Sequence, residues 1–193
     1  MRKAVQQRTL ETRARLIGMA QEMVNERGFE ALRIDELVLR AGVAKGTFFA
    51  HFADKDELMD LLIGERINAQ LDRMAAQKAP RTTDQVVTSL MPLLALMSAE
   101  RYVFDVILRR SGSAALEEIG PIAETFERMG VVMGPWLALG EFRKDVPVEL
   151  LVEGVQAMVI QTLALNFCAI HQRQPMKDRL RSYLRAWLNP VAA

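Results

Sequence analysis

The chain lacks most of what would mark an enzyme or a secreted protein. One cysteine among 193 residues excludes a disulfide within the chain. That residue, Cys168, sits in LALNFCAIH (163–171), an apolar setting that reads as a buried thiol rather than a reactive one. Only two histidines are present, and Cys168 with His171 forms a single C-x-x-H pair with no second pair to complete a zinc site. A glycine-rich phosphate loop and a G-x-S-x-G elbow are both missing. No catalytic constellation, metal or cofactor is therefore expected.

Long apolar runs are also missing. The stretch MPLLALM (91–97) falls well short of the roughly 20 residues of a spanning helix. The N-terminus, MRKAVQQRTLETRARL, is basic but has no apolar segment behind it, so no secretory leader is read there. A soluble, cytoplasmic protein with no membrane partner is the expectation. Alternating strand patterns and Asn-Gly or Asp-Gly hairpin turns are absent as well.

What remains is helical in character. Half of the residues are apolar and a quarter charged, enough for a core and too apolar for disorder. Seven prolines separate segments rich in Leu, Met, Ala, Glu, Arg and Gln, all good helix formers. The periodicity predicts an all-α chain of about nine helices: 9–27, 34–41, 44–52, 55–77, 83–98, 100–111, 115–139, 148–171 and 175–188. Thr9 is the expected N-cap of the first, and Pro92 is expected to kink the fifth. Asp54 with Glu57 has the spacing of a capping box at the start of the fourth. Two divisions are read, a unit at 1–55 and a larger helical one at 56–193. The first carries ten Lys and Arg against seven Asp and Glu, a surplus of three; the second carries fifteen against seventeen. That asymmetry allows a basic face near the N-terminus without requiring one.

The most informative stretch is AGVAKGTFFAHFADKDEL, residues 41–58. A short helix, a turn at Gly42 and a second short helix outline a helix-turn-helix. Phe48 and Phe52 are four apart, share a face, and can pack on Leu37 and Ile17. Lys45, Thr47, Ala50 and His51 then occupy the other faces, a small and basic front of the kind that enters a major groove. On pattern alone the turn can equally be a structural corner of a helical bundle.

The phrases ERGFEAL, LRAGV, AKGTFFAHF and ADKDEL, in that order across residues 9–58, resemble the TetR-type one-component transcriptional regulators. In that family a Ser-x-Gly-Thr-aromatic-Tyr-x-His-Phe segment forms the recognition helix. The resemblance implies that Lys45, Gly46 and Thr47 lead the recognition helix, with His51 and Lys55 holding phosphates. Three positions depart from the pattern: Ala44 replaces the capping serine, Phe49 the tyrosine, and Arg33 the threonine that caps the second helix. Ala44 forfeits a cap worth about 0.5–2 kcal/mol, Phe49 forfeits a hydroxyl contact, and Arg33 offers a guanidinium to phosphate in place of a hydroxyl. Arg33, Ala44, Lys45, Gly46, Thr47, Phe49, His51 and Lys55 make up the expected DNA-binding set.

Beyond residue 58 the resemblance is one of helical layout, with GEFRKDVPVELLVEGV (140–155) similar to the family's lead-in to its dimerisation helices. Methionines and aromatics gather in the middle helices. They read either as a soft, gap-filling core or as the lining of an apolar ligand site. The family resemblance favours the second reading, a small hydrophobic effector held by Met97, Phe104, Phe126, Met129, Met133 and Trp136 and oriented by Gln161 and Asn166. The last two helices carry wide apolar stripes that either cap the chain's own core or meet a second copy. The homodimer reading places Val155, Met158, Val159, Thr162, Leu180, Tyr183, Leu184 and Trp187 at the interface. Together these imply a repressor that binds a palindromic operator and leaves it when an effector binds. The alternatives are a ligand-binding helical dimer with weakened or lost DNA binding, and an enzyme or partner-binding bundle in which the turn is only structural.

Overall fold

The computed structural model describes residues 2–111, 119–170 and 174–189. Its described residues form nine helices and no strand: α1 (Arg2–Arg27), α2 (Ile34–Arg40), α3 (Lys45–Phe49), α4 (Lys55–Ala76), α5 (Thr83–Met97), α6 (Arg101–Arg110), α7 (Pro121–Leu139), α8 (Val148–Asn166) and α9 (Met176–Leu188). The all-α expectation holds. Thr9 is not an N-cap, because α1 already runs through it and Thr9 lies more than one turn inside the helix. The expected ends at residues 115 and 171, and His171 itself, lie outside the described residues.

The first three helices are closed by local chemistry. Both α1 and α2 end at a glycine with positive φ, Gly28 at 85° and Gly42 at 64°, where a side chain would be strained. They end differently. At α2 the N–H of Gly42 bonds Leu39 O and that of Val43 bonds Val38 O, the two reciprocal bonds of a Schellman turn. At α1 only the N–H of Gly28 returns, to Val24 O at 2.9 Å. The next two amides, of Phe29 and Glu30, are left for another partner. Phe29 folds inward and is buried.

Two longer helices open with reciprocal caps. Asp54 accepts the Glu57 N–H at 2.8 Å, while the Glu57 carboxylate accepts the N–H of Ala53, one residue earlier than the simplest box would have it. Thr82 and Gln85 repeat the arrangement at α5, with Gln85 reaching the Arg81 N–H at 2.7 Å. Pro92 lies within α5 with its ring toward solvent.

α4 is the spine. It packs along α7 and touches α1, α5 and α6, while α8 lies between α7 and α9 and α5 backs onto α9. One apolar core runs from Leu16 of α1 to Leu188 of α9. At the start of α7, buried Asp60 of α4 accepts the Ile122 N–H at 2.9 Å, filling one of the orphan donors of that helix end. Burial pushes the Asp60 carboxyl above its ordinary range, and the Ile122 N–H offsets part of that. α8 is long and apolar enough to cross a membrane by length and composition, and 33% of that stretch is buried within the chain. Counting unbroken runs misses it, since Glu153, Gln156 and Gln161 interrupt the stretch.

Candidate functional site

The corner at residues 34–52 is built on two aromatic anchors. Phe48 and Phe52 are fully buried, 5.4 Å apart between ring centres, and Leu37 of α2 is buried with them. The Schellman turn at Gly42 fixes the angle at which α3 leaves α2. A contact not foreseen from sequence pins the far end: Arg13 of α1 lays its guanidinium 4.2 Å over the Phe52 ring and donates to the His51 carbonyl at 2.5 Å. An arginine in a basic amphipathic helix carries no mark of such a role.

This leaves a defined outer face. Ala44, Lys45, Gly46 and Phe49 are exposed, while Thr47 and His51 are half-buried. Phe49 keeps 48% of its surface in water and meets Phe48 edge to face at 5.3 Å. Neither short helix has a side-chain cap. Ala44 has no polar atom to offer, and Arg33 turns its guanidinium back onto the carbonyls of Glu30 (2.7 Å) and Leu32 (3.3 Å). Lys45 reaches across the turn to Asp35 at 2.7 Å, an exposed pair that water screens and that a phosphate can replace. Behind this face Arg27 and Arg40 are matched by Glu26 and Glu36, and the hydrogen bond from Arg27 holds the Glu36 carboxyl below its usual range.

Lys55 departs from its expected placement. Its ammonium lies 4.5 Å over the ring of Tyr102 in α6, not on the outer face, and the site is half-buried. Desolvation lowers its pKa, with the Arg33 charge adding to the effect. Tyr102 in turn donates to Asp56 at 3.1 Å, and burial pushes its own pKa up. The cause of the turn inward is proximity: α6 lies against the first turn of α4, and Tyr102 offers an electron-rich face there.

The expected effector residues divide. Met97, Phe104, Met129, Met133 and Trp136 are all buried in the core. Phe104 stacks on Phe167 at 5.5 Å, which ties α6 to the end of α8. Phe126 is half-buried and lines an open groove of about 480 Å³ with Gly130, Val152 and Gln156. Gln161 is exposed on the outer side of α8, so it does not face that core, and Asn166 is half-buried. Thr162, expected at an interface between copies, instead has a fully buried hydroxyl with no hydrogen-bond partner among the described residues.

The expected interface residues divide in the same way. Val155, Val159, Thr162, Leu180 and Leu184 have at most 1% of their surface exposed within a single chain, because α8 and α9 pack on each other and on α5. They have no surface left for a second copy. Met158, Tyr183 and Trp187 are half-buried. Trp187 lies against Gly154, where any Cβ would collide with its indole, and donates to the Leu151 carbonyl at 3.2 Å. The outer side of α8 instead presents Leu150, Ala157 and Gln161, with Ile160 and Ala164 half-buried. Among the described residues no cluster of His, Cys, Asp or Glu could hold a metal ion.

Comparison with known proteins gives a consistent result. The N-terminal family model of the tetR family of bacterial regulatory proteins matches residues 16–62. The HTH-type transcriptional repressor BepR of Brucella suis biovar 1 is 27% identical over 135 residues, which is 67% of this chain and 62% of that protein. This chain thus spans less than two thirds of that repressor's length. Among solved structures, Thermus thermophilus FadR, a TetR-family transcriptional repressor in complex with lauroyl-CoA, aligns with a TM-score of 0.67 at 17% identity, over 94% of this chain and 95% of that one. The transcriptional regulator FadR of Bacillus subtilis, in complex with stearoyl-CoA, aligns with a TM-score of 0.56 at 14% identity, over 93% and 99%. At these identities the two structures share the fold with this chain.

Proposed function

We propose that this chain, which belongs to the TetR family of bacterial regulatory proteins, represses transcription by binding a two-fold symmetric operator as a homodimer. A small hydrophobic effector then releases it. The observation that carries the reading is the corner at residues 34–52, where exposed Lys45, Gly46 and Phe49 and half-buried Thr47 are backed by two fully buried phenylalanines. A segment so anchored presents base-reading groups while Phe48 and Phe52 stay in the core. Gly46 allows close approach, Lys45 and Thr47 donate to base edges or phosphates, and Phe49 meets thymine methyls.

Dimerisation follows from the outer side of α8. Leu150 and Ala157 are exposed there and Ile160 and Ala164 half-buried, and a second copy related by a two-fold axis covers what the chain leaves open. Such a dimer holds two recognition helices roughly 34–36 Å apart, one turn of DNA. The effector enters the core around Met97, Phe104, Met129, Met133 and Trp136, whose flexible methionines can repack around it, and the Thr162 hydroxyl supplies a polar anchor. Two structural neighbours hold acyl-CoA molecules, whose acyl chains are of the apolar kind such a core would take.

One observation favours a second reading, a ligand-binding dimer with weak DNA affinity: neither helix of the reading pair has a side-chain cap. Selection of duplexes from a random-sequence library, followed by mobility-shift titration, decides between the two. Saturable, salt-sensitive and palindrome-selective binding supports the repressor. Binding indifferent to sequence removes it. Release of the selected duplex by compounds from a panel of hydrophobic molecules tests the effector half.

A further inference from the structure

Glu100 occupies the N-cap position of α6, but its side chain makes no cap there. Its carboxylate is spent seventy residues away, at the end of α1. One oxygen accepts the Phe29 N–H at 2.8 Å and the other accepts the Glu30 N–H at 2.7 Å. These are the two amides that α1 leaves unused, because its end makes a single returning bond where α2 makes two. Two successive amides after a left-handed glycine form a small anion-binding concavity, and here the anion is a side chain of the helical body. Gly28 is needed twice over, for its φ of 85° and because a Cβ there would stand 2.7 Å from the Glu100 carboxylate.

This is one attachment between α6 and the reading unit. Another lies at the junction with α4, where Lys55 sits over the Tyr102 ring, Asp54 takes Arg110 at 3.4 Å, and Asp56, just beyond the unit, takes Arg109 at 2.7 Å and the Tyr102 hydroxyl at 3.1 Å. A body held at one point can turn about it, whereas a body held at two separated points keeps its orientation. The α1–α2 turn and the α3–α4 turn bracket the α2–α3 pair in sequence, so the two attachments together set where that pair points.

We propose that Glu100 is a positioning residue for operator reading: its two-oxygen grip on the α1–α2 turn fixes the orientation of the DNA-reading helices on the helical body. The idea rests on the repressor reading above. It makes α6, through a residue outside the matched family domain, the element that sets how far apart two half-sites must lie. Movement of α6 is then felt at the recognition helix without any contact to DNA.

The test uses the full-length protein and the palindromic duplex recovered by selection, together with versions lengthened or shortened by one base pair at the centre. Glu100→Gln keeps the side-chain length but leaves one oxygen to accept and sets an NH₂ against the second amide. Glu100→Asp keeps the charge and shortens the reach. Wild type should discriminate sharply among the three spacings. Glu100→Gln should reduce that discrimination by roughly fivefold or more, with Glu100→Asp intermediate, while base preference within each half-site stays unchanged. Hydrogen exchange of the Phe29 and Glu30 amides should quicken in both variants. A lower melting temperature with unaltered spacing preference would make Glu100 a structural cap only and overturn the proposal; so would unaltered exchange at the two amides. If wild type selects no sequence at all, the repressor reading itself fails, a result distinct from equal spacing preference in wild type and variants.

Discussion

The ammonium of Lys55 sits 4.5 Å from the centre of the Tyr102 ring, so the first residue of α4 faces the helical body and not the outer surface of the reading corner. Lys55→Met should therefore cost little in operator binding and leave its salt dependence unchanged, whereas Lys45→Ala should relax base preference and lower the salt slope by about one. Burial depresses the Lys55 pKa, so the folded state sheds this proton before the unfolded chain does. Stability relative to Lys55→Met should then rise with pH through the window from the depressed value to about 10.4, the ordinary lysine value. Melting curves across that range check the sign.

Asp60 gives the opposite slope. Its folded pKa is raised, so the folded state holds a proton that the unfolded chain releases near about 3.9. The associated stability is present below that pH and is lost as pH climbs through the raised value. Asp60→Asn keeps an oxygen for the Ile122 N–H and removes the charge, so the variant should melt at or above the wild-type temperature at pH 7. The difference should vanish in acid. A variant that melts well below wild type at pH 7 would mean that the charge itself is needed.

Ala44→Ser restores a cap to α3 and should add about 0.5–2 kcal/mol of stability, read by denaturant titration. Phe49→Tyr places a hydroxyl on a ring that is already half in water, so it should leave stability nearly unchanged. If the missing hydroxyls limit affinity, the double variant should bind the selected duplex more tightly than either single change. Equal affinity in all four proteins would show that the missing groups do not matter to DNA binding.

On the outer side of α8, Ala157→Glu puts a charge into the strip assigned to the second copy. Sedimentation should show a folded monomer, and operator binding should fall with the loss of the paired half-site contact. A dimer that persists with wild-type affinity would place the interface elsewhere.

Local chemistry was the legible part. LRAGV gave its turn at Gly42, Asp54 and Glu57 their box, and Phe48 and Phe52 their burial, because each depends on neighbours within a few positions. The box at Thr82 was equally readable and was overlooked. What sequence could not show was direction. The stripe Val155, Val159, Thr162 faces the chain's own core, and a helix apolar on both sides does not reveal which side a single chain covers. Lys55 has the spacing of a phosphate ligand, and only the arrival of Tyr102 from 47 positions away turns it inward. Glu100 was illegible for the same reason, since its partners are backbone amides that no residue type announces.

The unequal ends of α1 and α2 bear on how this protein can be taken apart. A turn that closes on itself travels with its own segment; a turn completed by a distant carboxylate does not. Residues 1–55 grafted onto another helical body would arrive with the amides of Phe29 and Glu30 bare, unless the host supplies an acidic residue at the matching place. The first fifty-five residues should thus not behave as an interchangeable cassette, and chimeric regulators built by swapping at the start of α4 should work only in hosts that happen to carry such a residue.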